Sequence, residues 1–144
     1  GGGKTTLYQK YPNLFLDIDD FMWNHESQKK RHILQQYLED GNIECIGNLY
    51  RNTMRNNQQL RNDSRIILCH RPENAQDLNR KIICICRPNK KLHEKNIETR
   101  NNILKNFANN DWDSLTKYKP YEYDNYNEFD NFIFSCVMSI KNQN

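Results

Sequence analysis

With 144 residues, a net charge of +3, 36% hydrophobic residues and a mean hydropathy of −1.04, the chain is polar yet long enough for one domain around a single core. Its apolar residues cluster into periodic segments while Asn and Lys are spread throughout, which excludes a disordered chain. No apolar run approaches the roughly 20 residues of a membrane span and no signal peptide is visible, so a cytoplasmic protein without a membrane partner is expected; the mild charge admits anionic substrates and argues against extended nucleic-acid binding.

The chain opens Gly1-Gly2-Gly3-Lys4-Thr5-Thr6, the back half of the phosphate-binding motif G-x-x-x-x-G-K-[ST]. Glycines let backbone N–H groups crowd around phosphate oxygens, and the start of the following helix favours an anion. Lys4 then reaches the β- and γ-phosphates of ATP, the Thr5 hydroxyl ligates Mg²⁺, and Thr6 bonds the α-phosphate. The leading glycine and the strand feeding the loop fall upstream of Gly1, so the chain is expected to begin artificially or to be a fragment. A glycine-rich tail is the competing reading, but it does not explain the helix-compatible Thr5–Tyr11 and the apolar strand behind it.

That strand, Asn13 to Asp20, ends in carboxylates. Asp17 and Asp19 lie two apart, so on a strand they share a face at its carboxyl end, where ligands sit in open α/β sheets. Asp17 suits the water shell of a phosphate-bound Mg²⁺, and Asp19 suits the proton of an attacking hydroxyl. Asp20 is expected to cap the next segment. The competing reading makes all three a turn and cap cluster.

Ser27 then caps a helix with Ile33, Leu34, Tyr37 and Leu38 on one face, stopped by Gly41-Asn42. A second helix carries Ile43, Ile46, Leu49, Tyr50 and Met54. The runs Arg65–His70 and Lys81–Cys86, each stopped by Arg-Pro, suit parallel strands covered on both faces. Leu92 to Ala108 is a charged helical candidate, and Tyr118–Tyr123 a weaker strand. Asn125 with Glu128 opens a last helix with a stripe of Phe129, Phe132, Ile133, Cys136, Val137 and Ile140. The alternation predicts an α/β three-layer fold with a parallel sheet. Cys45, Cys69, Cys84, Cys86 and Cys136 contain no C-x-x-C pair and read as free buried thiols; a zinc site drawing on His25, His32, His70 or His93 is the weaker alternative.

The run G-G-G-K-T-T-L followed by L-F-L-D-I-D-D-F resembles small P-loop kinases, and its D-x-D is similar to that of shikimate kinases and related small-molecule kinases. The resemblance covers about the first 21 residues. It implies a P-loop NTPase-type sheet, ATP and Mg²⁺ as cofactors, phosphate binding by Gly2, Gly3 and Lys4, metal binding by Thr5 supported by Asp17, and contact of Asp19 with the acceptor hydroxyl. It also implies that the strand before the loop, which runs through the middle of the sheet in these kinases, is missing here. A chain without it is expected to be poorly stable or inactive. A basic lid is implied after the fourth strand, where Arg87, Lys91 and Arg100 are candidates to clamp the transferred phosphoryl group, Arg100 foremost. Leu68-Cys69-His70-Arg71-Pro72 replaces the Asp or D-G pair of many nucleotide kinases, and His70 and Arg71 are expected to face the acceptor instead.

The expected function is therefore ATP- and Mg²⁺-dependent phosphotransfer to a small hydroxyl- or phosphate-bearing acceptor such as a nucleoside, nucleotide or metabolite. A polynucleotide-end or zeta-toxin-type kinase and a nucleotide-binding domain without catalysis are the alternatives.

Overall fold

A computed structural model describes residues 3–142; Gly1 and Gly2, both expected in the phosphate loop, lie outside the described residues. The chain resolves into two compact units, residues 4–81 and residues 82–142 together with Gly3.

In the first unit, helix α1 (Lys4–Lys10) is followed by the short strand β1 (Phe15–Asp17). The sequence pattern extends this strand to Asp20, but the backbone turns helical at Ile18 in α2 (Ile18–Asp20), which continues into a π-helical stretch, Phe21–His25. The cause is Asp17, whose carboxylate accepts the Asp19 N–H at 3.0 Å as a helix N-cap. Asp20 provides no side-chain cap; its oxygens take the Asn24 amide at 2.7 Å and His25 Nε2 at 2.9 Å.

Helix α3 (Gln28–Glu39) starts where Ser27 accepts the Lys30 N–H. It ends in a Schellman arrangement: Gly41 has φ +66°, its N–H reaches the Leu38 carbonyl at 3.1 Å, and the Asn42 N–H reaches Tyr37 at 2.9 Å. Asn42 then caps α4 (Ile43–Asn56) and Asn57 caps α5 (Gln58–Arg61). Strand β2 (Ile66–Leu68) pairs in parallel with β1, Phe15 opposite Ile66 and Asp17 opposite Leu68. Helix α6 (Asn74–Leu78) closes the unit, ending at Asn79 in the left-handed region, φ 55°. The core is aliphatic: Leu16, Ile18, Met22, Leu34, Met54, Leu60 and Leu78 form one buried cluster, each such side chain contributing about 1.5–3 kcal/mol of transfer free energy.

The second unit departs further from the sequence pattern. Residues 81–85, expected to be strand, are irregular, with Ile82 and Ile83 exposed; strand β3 is Cys86–Pro88. The expected single helix from Leu92 to Ala108 is two, α7 (Lys90–Ile97) and α8 (Asn102–Ser114), because Asn101 caps a fresh helix by accepting the Leu104 N–H at 2.9 Å. Strand β4 (Tyr121–Tyr123) lies parallel to β3. Helix α9 (Tyr126–Asn142) begins as expected with Asn125 accepting the Glu128 N–H, while Glu128 reaches back to the Asp124 N–H at 2.8 Å.

The fold is thus mixed α/β, with a two-stranded parallel sheet in each unit where the sequence predicts one larger sheet. Among the described residues, no helix is long and apolar enough to cross a membrane.

Candidate functional site

Because β1 and β2 are parallel and in register, their carboxyl ends emerge side by side. Asp17 is the last residue of β1, and His70 follows β2 by two positions. Helix α4 brings Tyr50 to the same place.

Four polar contacts define the cluster. The Thr5 hydroxyl donates to Asp17 Oδ2 at 3.2 Å, and Asp17 Oδ1 holds the Asp19 N–H. The Tyr50 hydroxyl donates to Asp19 Oδ1 at 2.8 Å. His70 Nε2 lies 2.8 Å from Asp19 Oδ1 and 2.7 Å from Oδ2, so that nitrogen carries the proton toward the ionised carboxylate. Asp17 is 1% exposed, whereas the Asp19 and His70 side chains are 37% and 28% exposed. Asp17 is the buried base of the cluster, and the Asp19–His70 pair is its solvent-facing rim.

The two carboxylates are driven apart in acidity. Burial, and then the Asp19 charge, push the Asp17 carboxyl above its ordinary value, against the opposing pull of Lys4 and the Asp19 N–H. Burial also raises Asp19, but the charge and hydrogen bond of His70, with help from Lys4, overcome it and hold that carboxyl well below the usual range. Burial and the adjacent Asp19 charge push the Tyr50 phenol well up, which keeps it a hydrogen-bond donor at neutral pH. Burial lifts the neighbouring Cys69 thiol to about 12, so Cys69 is protonated and inert.

Of the residues singled out from the sequence, Lys4, Thr5, Asp17, Asp19 and His70 are brought together, Lys4 through its charge on both aspartates. Thr6 is exposed on α1. Gly3 has φ +84°, a backbone conformation that favours glycine, and a Cβ there would make tight contacts of 3.1 Å with ring carbons of Tyr126 and Phe129. Arg100 belongs to the second unit, between α7 and α8, where its N–H bonds the Ile97 carbonyl. Arg87, a lid candidate, is instead a buried structural cation, 8% exposed. It bonds Glu122 at 2.8 Å, the Trp112 carbonyl at 2.7 Å and the Thr116 hydroxyl at 2.8 Å, with its guanidinium 3.7 Å above the Trp112 ring.

Asp17 and Asp19 do not share a strand face, since Asp19 stands on α2; the capping bond brings them together. Sequence reasoning missed Tyr50, which the helical stripe made an ordinary core aromatic. Its signal was the phenol, which needs a partner when buried.

Thr5 and Asp17 offer hard oxygen donors of the kind Mg²⁺ takes. Octahedral Mg²⁺ at about 2.0–2.1 Å sets adjacent oxygen ligands about 3 Å apart, and their oxygens are 3.2 Å apart. Among the described residues, no group of three or more His, Cys, Asp or Glu is placed to hold a metal ion, so the zinc alternative finds no support. Mg²⁺ on nucleotide phosphates needs only one or two protein ligands. All five cysteines are free thiols, part-buried where full burial was expected. An open groove of about 630 Å³, lined by Pro12, Asn13, Gln58, Asn62, Ser64 and Arg65, lies at the amino end of the strands, away from the cluster.

No protein-family model, curated protein or solved structure matches this chain.

Proposed function

We propose that the chain is an ATP- and Mg²⁺-dependent phosphotransferase domain acting on a small hydroxyl- or phosphate-bearing acceptor, and that the buried aliphatic cluster of the first unit keeps it folded and active, contrary to the expectation of a poorly stable or inactive chain. The observation that carries the reading is the Thr5–Asp17 contact, 3.2 Å between residues twelve positions apart. It joins the hydroxyl directly after Gly3-Lys4 to the carboxylate at the end of the next strand, the pairing a phosphate loop with an acidic strand end requires. The parallel sense of β1 and β2 supports the matching finer fold, a helix-flanked three-layer sheet of phosphate-loop type, because a parallel pair requires a crossover such as the helices between them provide.

Each residue then has a distinct task. Lys4 binds the β- and γ-phosphates and offsets negative charge as it moves toward the leaving oxygen. Thr5 and Asp17 would hold Mg²⁺, which would neutralise phosphate charge when bound. A cation there also compensates a carboxylate otherwise buried at 1% exposure. Asp19, ionised and acceptor-only, orients the acceptor hydroxyl by taking its hydrogen bond. Its low proton affinity makes it a weak base; this suits a loose transition state, in which alignment of the nucleophile matters more than early proton removal.

The test is turnover of γ-labelled ATP by the purified chain, with water and with a panel of polyols, nucleosides and nucleotides as acceptors. Mg²⁺-dependent release or transfer of the label, lost in Lys4→Ala, supports the reading. Turnover equal in wild type and Lys4→Ala contradicts it.

A further inference from the structure

The Asp19 carboxylate is held more tightly than an acceptor-binding group on a half-exposed rim needs to be for stability alone. Its partners come from two other parts of the first unit: Tyr50, 31 residues away on α4, and His70, 51 residues away after β2. The carboxylate torsion of Asp is intrinsically broad. Here His70 Nε2 straddles both oxygens, at 2.8 and 2.7 Å, and the Tyr50 hydroxyl adds a bond to Oδ1 at 2.8 Å. The two rings are 6.4 Å apart and tilted by 56°, so they approach the carboxylate from different directions. Of the roughly four acceptor positions of a carboxylate, Oδ1 uses two and Oδ2 one. One position on Oδ2 is left, in a group whose side chain is 37% exposed.

We propose that His70 and Tyr50 are positioning residues that fix the plane of Asp19, so that Oδ2 presents a single acceptor direction to the attacking hydroxyl. This rests on the phosphotransferase reading above. His70 acts through Asp19, donating from Nε2 to both oxygens, and Tyr50 sets the rotation by holding Oδ1 alone. Release of either partner lets the carboxylate turn and spreads the nucleophile over unproductive directions. Loss of alignment of this kind lowers kcat, while ATP, held by Lys4 and the loop, binds as before.

The experiment compares His70→Phe, His70→Gln and Tyr50→Phe with wild type and Lys4→Ala in Mg-ATP turnover, using water as the acceptor, alongside thermal melts. His70→Phe is expected to lower kcat by about 30-fold or more with KM for ATP within about twofold. His70→Gln keeps a donor amide on a chain of similar reach and is expected to recover most of the loss, while Tyr50→Phe costs about fivefold. If His70→Phe does not fold, the Gln and Tyr50 variants carry the test. Wild-type turnover that depends on Lys4 but is unchanged in folded His70 and Tyr50 variants overturns the positioning role alone. So does a kcat loss in His70→Gln as deep as in His70→Phe. Absence of Lys4-dependent turnover in wild type removes the phosphotransferase reading, and the positioning role with it.

Discussion

The two units spend their polar groups differently. In the second, Arg87 is consumed by structure: it pairs across the β3–β4 register with Glu122, lies over Trp112, and Trp112 is in turn stacked on His93, 5.4 Å between ring centroids. Its buried apolar residues combine Tyr123 and Phe129 with Ile97, Ile133 and Val137, and Tyr121 stacks on Phe132 at 4.1 Å while Tyr123 lies against Phe129 at 4.9 Å. The first unit has an aliphatic core and gathers Thr5, Asp17, Asp19, Tyr50 and His70 at one end of its strands, with Asp17 buried beyond what folding alone favours. Arg87 is matched by partners within its own unit, whereas burial raises the Asp17 carboxyl, a kind of perturbation that clusters at functional sites.

The sharpest way to break this contrast is to remove one cation from each unit. Lys4→Ala is expected to lower ATP turnover by at least about 100-fold with little change in melting. Arg87→Ala is expected to cost about 2 kcal/mol of stability, by leaving the Trp112 carbonyl and the Thr116 hydroxyl without their donor and uncovering the Trp112 ring, while turnover per folded molecule holds. Urea unfolding and the ATP assay on the same two proteins check both.

Asp17→Asn separates stability from function within one residue. Asparagine keeps an oxygen for the Asp19 N–H and an amide for Thr5, and it removes a buried charge. The melting temperature without nucleotide is therefore expected to rise by about 2–4 °C, while Mg²⁺-dependent turnover falls by at least about tenfold. A lower melting temperature would show that the carboxylate contributes to the fold.

How much of this was legible beforehand depends on whether a signal was local. The caps at Ser27 and Asn125, the stop at Gly41, and the strand within Arg65–His70 were readable, because a cap or an apolar run acts on its immediate neighbours. The fate of Asp17-Ile18-Asp19 was not. The same alternation serves a strand face or an N-cap, and the 3.0 Å bond to the Asp19 N–H decides for the cap. Lys81–Ile85 has strand composition, yet residues 81–85 are irregular, Ile82 and Ile83 stay exposed, and pairing with β4 begins only at the Ile85 carbonyl, which accepts the Tyr121 N–H at 3.0 Å, so composition without pairing misled. Thr5, Asp17 and Asp19 were legible as a candidate site from motif order. Tyr50 was not, since its contact spans 31 residues and depends on where α4 packs.

Two smaller effects sharpen the comparison inside the first unit, away from the cluster. Gly41→Ala places a Cβ at φ +66° and is expected to cost about 1 kcal/mol, read by urea unfolding, without touching turnover. The Asp63–Arg65 pair gives the pH dependence. Hydrogen bonds from Arg65 hold the Asp63 carboxyl below its unfolded value. Its contribution, about 0.5 kcal/mol, is therefore complete above about pH 4 and is lost as the pH falls through the lowered folded value. Asp63→Asn is expected to lower stability by about 0.5 kcal/mol at pH 7 and to flatten the curve in the acid range, where the wild type loses the same contribution.

The most direct measurement is calorimetric titration of ATP into the wild-type chain with and without Mg²⁺, and into Lys4→Ala. Saturable binding that is strengthened by Mg²⁺ and lost in Lys4→Ala is the predicted result. Binding heats indistinguishable between wild type and Lys4→Ala, or absent from a cooperatively folded wild-type chain, would contradict the account.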